Sequence, residues 1–288
     1  SNAKTFEKEV HKMKKWLKIL LIFTPKLRRV GNPMALLNHV SDYTLRELDL
    51  TNEIKGANEL KKIKNKIAND FPMELLRFPK YYEDISNKDI LVSEYIVGES
   101  LEDGIKNKSL SWEKLLQLFR IHGAFLFGIG TFHGDLHPGN CIIDKEGKFV
   151  FIDNGAICYA PKKIHLTLFK FFEHLSKQEM NQAYDSLLEM SEYNIEGKIL
   201  ERYRKEMVKI YSGFETKPVG EQSLTKTMME TVKNAVNIAK AEFGEEAFPI
   251  IRALMYLDGL VLRTHPNVVL VKSMKPYLIE FKNGFNIK

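Results

Sequence analysis

Cysteine is almost missing from this 288-residue chain: there are two, Cys141 and Cys158. Their spacing suits neither a disulfide framework, a redox pair nor a zinc site, which fits a reducing, cytoplasmic compartment and leaves both as small packing residues. Long apolar runs are missing as well. The longest near the start, "WLKILLIF" at 16–23, is interrupted by Lys18 and stopped by "TPK", far short of the roughly 20 residues that span a bilayer. There is no internal repeat and no low-complexity linker. Acid is scarce only at the N-terminus: residues 1–30 hold nine Lys/Arg and two Asp/Glu, while the remainder holds 34 against 35. The net charge of +6 is therefore a property of the first thirty residues, and no nucleic-acid partner is expected. Glycine is late, the first being Gly31.

What is present suffices for a globular protein. Hydrophobic residues make up 44% of the chain, enough for one large core or two modest lobes. The opening "SNA" reads as the remnant of a removed purification tag, so residues 1–3 are set apart and Lys4 is taken as the first natural residue. Residues 5–23 read as an amphipathic helix, with Lys8, Lys12 and Lys15 among Phe6, Val10, Met13, Leu17, Leu20 and Leu21. Such a helix either packs on its own domain with a solvated lysine face, the favoured reading, or rests on an anionic membrane surface. A long helical stretch is expected from 34 to 70, broken near Gly56 if anywhere, then strands over 74–83 and 89–97. Residues 111–130 place Leu115, Leu118, Phe119, His122, Phe125, Leu126 and Ile129 at helical spacing, so His122 reads as a satisfied core histidine rather than a ligand. "CIIDKEGKFVFID" reads as a hairpin. From Pro161 onward the chain is helical, with breaks near "SGFETKPVGEQS", "FP" and "THP".

Two stretches carry chemistry, "HGDLHPGN" at 133–140 and "FIDNG" at 151–155. A helix, a loop bearing Asp135 and Asn140, and a hairpin returning Asp153 would bring two carboxylates and an amide oxygen to one end. Oxygen donors of this kind suit magnesium, which takes few protein ligands and keeps phosphate oxygens and water in its other positions. Phosphoryl transfer needs that metal and a carboxylate to orient the acceptor hydroxyl. Asp135 would be the orienting base, with Asn140 and Asp153 on magnesium; the spacing of five from Asp135 to Asn140 matches the kinase catalytic loop. Each piece alone is an ordinary turn or cap, but their order across a hairpin points to a nucleotide phosphate.

The chain resembles the UbiB/AarF-type atypical kinases, a protein-kinase-like family linked to coenzyme Q and isoprenoid lipid metabolism. The likeness rests on "FHGDLHPGN" and "FIDNG", on "ELDLTNEIKGAN" at 47–58, on "ILVSEYIVGESLEDGI" at 90–105 and on "IIRALMYLDGLVLRTHPN" at 250–267. By that resemblance Glu53 would pair with a phosphate-binding lysine, and Glu47 with Asp49 would be the family's own acidic pair. Glu94, Tyr95 and Ile96 would line an adenine pocket through backbone groups, and His133 would join Asp135 and Glu53 in the catalytic set. Without the resemblance, Glu47, Asp49 and Glu53 would be the solvated face of a helix. The family usually has alanine and proline where Gly134 and Leu136 stand, so the loop alone also reads as an aminoglycoside- or choline-type phosphotransferase; the E-L-D segment decides for the atypical kinases. Asn154 replaces the phenylalanine of D-F-G, and His137 stands where protein kinases often carry a lysine.

Ahead of Glu53 there is neither a glycine-rich strand-turn-strand nor a strand-borne lysine, which leads us to expect a longer parent with this chain starting inside its N-terminal lobe. The reading is an α+β, mainly helical, protein-kinase-like fold with a truncated N-terminal lobe. A basic helix and partial lobe would occupy 4–97 and a helical C-terminal lobe 98–288. The expected activity is ATP- and Mg2+-dependent phosphotransfer or ATP hydrolysis, weak in this chain, supporting quinone or isoprenoid lipid metabolism at the inner membrane face. A small-molecule phosphotransferase and a non-catalytic, lipid-associated pseudokinase scaffold are the alternatives. The expected partners are a nucleotide, an anionic membrane surface or isoprenoid lipid, and a second copy of the chain covering the reduced lobe.

Overall fold

The computed structural model describes residues 2–23, 34, 37, 41, 44, 45, 48–191, 194–244 and 247–287. The chain divides into two compact units: residues 1–59, 79–95 and 153–156 form one, and residues 60–78, 96–152 and 157–288 the other. Among the described residues no helix is long and apolar enough to cross a membrane.

The first unit opens with α1 (Asn2–Phe23). Val10 is buried on it, while Met13 and Trp16 are exposed. Helix α2 (Thr51–Lys66) begins in this unit. Asp49 caps it, accepting hydrogen bonds from the Thr51 backbone N–H (3.1 Å) and hydroxyl (2.7 Å), which satisfies a donor that the first helical turn leaves without an intrahelical partner. The helix runs unbroken through Gly56, where Ile54 and Ala57 bury one face on either side; the long helix expected over 34–70 is interrupted instead by the turn at 48–50 that carries the Asp49 cap. The strands expected over 74–83 and 89–97 are largely replaced by irregular chain. Residues 79–95 carry two isolated bridges, Tyr81 to Ser93 and Asn87 to Ile90, around a short 3-10 turn at Glu83–Ile85. Side chains compete with the ladder here: the Asn87 amide oxygen accepts from the N–H groups of Asp89 (2.9 Å) and Ile90 (3.1 Å), and the Ser86 hydroxyl accepts from that of Val92 (3.0 Å).

The second unit holds β1 (Leu76–Arg77), β2 (Gly98–Ser100), α3 (Leu101–Lys106), α4 (Trp112–Gly123), β3 (Thr131–His133), β4 (Cys141–Asp144), β5 (Phe149–Phe151) and β6 (Ile157–Tyr159). Five longer helices follow: α5 (Lys162–Ser176), α6 (Met180–Leu188), α7 (Gly197–Ile210), α8 (Leu224–Asn237) and α9 (Ala247–Thr264), and then α10 (Leu270–Gly284) closes the unit. The expected hairpin is β4–β5, with Ile142 opposite Val150. Its turn is set by Asp144, whose carboxylate accepts from the N–H groups of Glu146 and Lys148. Strands order β1-β5-β4-β2, with β1 parallel to β5, and β3 pairs antiparallel with β6 in a separate ribbon. The break expected near "FP" is the gap between α8 and α9, and α9 then opens with Pro249 in its first turn, where it has no intrahelical N–H to lose.

Helix α4 continues into a π-helical turn, Ala124–Ile129, which Gly130 ends at φ 81°. That turn and α4 lie at the centre of the core, where Leu118, Phe125, Leu126, Phe127, Phe132, Phe149, Phe151, Phe169, Phe171 and Phe281 are fully buried. Rings meet edge-on or tilted, as Phe127 does with Phe172 (5.5 Å) and Phe281 (5.9 Å). Helix α10 comes so near that a Cβ on Gly123 would lie 2.6 Å from the Phe281 ring. Arg120 fixes the approach, gripping Glu280 through its guanidinium while its charge lies 4.1 Å above the Phe71 ring. His122 is in the core as expected, but its ring nitrogens have no hydrogen-bond partner among the described residues, and burial pushes its pKa down to about 3. It is therefore a neutral packing group.

Candidate active site

Strand β3 carries the chain into the catalytic-type loop. His133, its last residue, is fully buried with its ring edge-on to Phe151 (5.7 Å). Its Nδ1 accepts a hydrogen bond from the Asp135 N–H at 3.2 Å, so the ring positions the loop. Asn140 closes the loop from the other side, its Nδ2 donating to the Asp135 carbonyl at 3.0 Å. That bond assigns the nitrogen and so directs the amide oxygen to the opposite side. His137 Nδ1 accepts from the Gly139 N–H at 3.1 Å, shaping the turn that Pro138 enters. Asp135 itself receives the Tyr256 hydroxyl on Oδ1 at 2.8 Å, a contact from α9 that the sequence did not announce. In the second unit the structure thus brings together His133, Asp135, His137, Asn140 and Tyr256.

In the first unit it brings together Glu53, Asp153, Asn154 and Gly155. Asp153 follows β5 by two positions and stands in left-handed backbone, φ 61°, a conformation that Asp tolerates better than most residues but that still stores strain. Glu53 Oε1 accepts the Gly155 N–H at 2.9 Å, and a Cβ at position 155 would lie 2.4 Å from that oxygen. A side chain at position 155 would therefore displace the Glu53 carboxylate from this hydrogen bond. Burial and the adjacent Asp153 carboxylate push the pKa of Glu53 up to about 7. Among the described residues, Glu53 meets these groups and makes no ion pair with a lysine. Asn154, where a phenylalanine was the familiar alternative, is fully buried and its Nδ2 donates to the Tyr81 hydroxyl at 3.3 Å. Burial raises the Tyr81 phenol to about 12, so it remains protonated.

The remaining candidates fall elsewhere. Asp49 caps α2, and its pKa is held low first by the Thr51 hydroxyl. Glu94 turns back to Lys80, its backbone N–H donating to the Lys80 carbonyl (2.7 Å) and its carboxylate accepting the Lys80 N–H (3.1 Å). Tyr95 is 87% exposed and Ile96 is buried, and the chain passes from the first unit to the second between them. Glu47 lies outside the described residues. The donors assigned to magnesium, a carboxylate and an amide oxygen, are of the hard type that ion requires. Asp153 and Glu53 are two carboxylates pressed together, an arrangement that a divalent cation relieves.

A helical unit built behind a β3-loop-hairpin of this kind defines a protein-kinase-like fold. The chain belongs to the ABC1 atypical kinase-like family, whose domain model matches residues 2–187. It is 27% identical to the probable protein kinase UbiB of Histophilus somni (strain 129Pt), over 93% of this chain and 50% of that protein. Against the probable protein kinase UbiB of Blochmanniella pennsylvanica (strain BPEN) the identity is 26%, over 93% and 48%. The chain thus spans about half the length of the curated relatives it matches. Among solved structures it is similar to Rv3197 of Mycobacterium tuberculosis, determined with erythromycin, at a TM-score of 0.62 and 16% identity, covering 98% of this chain and 69% of that one. That likeness concerns the fold.

Proposed function

We propose that this chain carries the phosphoryl-transfer residues of an ATP- and magnesium-dependent atypical kinase or ATPase that supports quinone or other isoprenoid lipid metabolism. The observation that carries the reading is the Asp135 loop: a carboxylate pinned through its own N–H by His133 and through its carbonyl by Asn140, already holding a hydroxyl group on Oδ1. A base in phosphoryl transfer must hold the acceptor hydroxyl within hydrogen-bond distance, about 2.6–3.2 Å, and the 2.8 Å contact with the Tyr256 hydroxyl supports that role for Asp135. In this reading Asp135 orients the acceptor, while Asn140 and Asp153 are oxygen donors toward magnesium. When bound, magnesium neutralises the phosphates. Glu53 holds the segment after Asp153 through the Gly155 N–H. Membership of the atypical kinase-like family supports the nucleotide, and the quinone and isoprenoid link follows from the likeness to UbiB-type proteins. The exposed Trp16 and Met13 on α1, beside the exposed Lys12, Lys15 and Lys18, support a peripheral role at an anionic membrane face.

The test is thermal unfolding with and without magnesium-ATP, beside Asp153→Ala. Ligand at about one hundred times its dissociation constant stabilises the native state by roughly 2.7 kcal/mol. A magnesium-dependent rise in Tm that the substitution abolishes is expected. No shift in the wild-type chain would count against nucleotide binding by these residues.

A further inference from the structure

Helix α9 turns Tyr256 onto the catalytic-type loop from 121 residues away in sequence. Its hydroxyl donates to Asp135 Oδ1 at 2.8 Å, and its ring stands edge-on to His137, 5.7 Å away and tilted by 85°. Burial, together with the Asp135 carboxylate, raises the phenol pKa to about 12, so the group stays a donor throughout the ordinary pH range. The loop is held at both ends of Asp135 by His133 and Asn140, so any parting of the two groups falls to the tyrosine side chain.

A carboxylate that orients a phosphoryl acceptor does so by accepting a hydrogen bond from the acceptor's hydroxyl. Tyr256 presents a hydroxyl in that relation. Resting on the reading of Asp135 as the orienting base, we propose that Tyr256 occupies the acceptor position as an internal competitor and so sets which acceptors the site admits. An incoming alcohol or a water molecule reaches Oδ1 once the phenol has left it. The acceptor oxygen then bonds to the γ-phosphorus of ATP, the bond from that phosphorus to the β–γ bridging oxygen breaks, ADP departs with the electron pair, and the acceptor proton passes to Asp135. An acceptor that replaces both the hydroxyl and the ring against His137 is favoured over water, so the contact suppresses idle hydrolysis. Tyr256 acts here through Asp135 and is a positioning and specificity residue.

The test uses the full chain and water as the acceptor. Magnesium-ATP binding is first read from the wild-type unfolding shift, and phosphate release is then measured for wild type, Tyr256→Phe, Tyr256→Leu and Tyr256→Phe combined with Asp135→Asn. Loss of a hydrogen bond to a charged partner should raise hydrolysis about ten-fold or more in both single variants, and the added Asp135→Asn should remove the gain. Structural damage lowers a rate, so a rise separates release of the base from a packing defect. Phosphate found on Tyr256 itself in the wild type would also support the assignment, since only a hydroxyl in the acceptor position receives it. An unchanged or lower rate in both single variants, with nucleotide binding intact, overturns this inference and leaves the proposed function standing. Absence of magnesium-ATP binding in the wild type overturns the proposed function, and this inference with it.

Discussion

Replacing Glu53 with glutamine should stabilise the protein at pH 8 and leave it almost unchanged at pH 5. The Glu53 carboxyl is half-buried beside Asp153, and its pKa rises from the ordinary 4.5 to about 7. The native state therefore binds more protons at this site than the unfolded chain does between those values. The site's contribution to stability is fully present below pH 4.5 and is lost as pH rises through 7. At about 1.4 kcal/mol for each factor of ten, the rise corresponds to roughly 3 kcal/mol. The group is only partly buried, and solvent screening brings the expected effect to about 1–2 kcal/mol. Glutamine keeps an oxygen for the Gly155 N–H and offers Asp153 a donor in place of a like charge. Urea unfolding midpoints of both proteins at pH 5 and pH 8 measure the difference. Equal differences at the two pH values would refute the reasoning, because carboxylate repulsion cannot act on a protonated Glu53.

Asp153→Gly should show the same pH signature in the same assay. Relief of the left-handed backbone at φ 61°, about 1 kcal/mol, is roughly offset by glycine's greater freedom when unfolded, so the gain that remains is the removal of charge beside Glu53. Asp258→Ala should lower stability by about 2–3 kcal/mol in chemical denaturation. The buried Asp258 carboxylate accepts the N–H groups of Leu224 (3.0 Å) and Thr225 (2.9 Å) at the start of α8, and no other side chain is recorded on those two donors among the described residues.

Much of the fold was legible because its elements are local. The β4–β5 hairpin is written in two apolar runs about a polar turn, and α4 in the spacing of Leu115, Leu118 and His122. Where sequence reading failed, side chains had replaced the backbone ladder. Asn87 and Ser86 hold the 79–95 segment, most of which lies within the strands expected over 74–83 and 89–97, and nothing in a β-rich composition discloses a competing side-chain bond. The two-residue β1 pairs with β5, whose partner residues lie some seventy positions away, and the β3–β6 ribbon was not foreseen for the same reason.

The candidate site divides in the same way. Asp135, Asn140 and Asp153 stood out in the sequence because glycine, proline and short spacing confine them to loops at the ends of short strands. Their neighbours did not. Tyr256 comes to Asp135 from a helix where tyrosine at helical spacing reads as ordinary packing. Tyr81 meets Asn154 across 73 residues, and the meeting of Glu53 with Gly155 spans 102. The sequence by itself determined that oxygen-bearing side chains of the kind that suit phosphate transfer and magnesium stand close together in short loops, because residue type and loop spacing are local properties. Only the tertiary structure decided that Glu53 faces a second carboxylate and that Asp135 already holds a hydroxyl, because hydrogen bonds and charge repulsion depend on distances that chain separation does not encode.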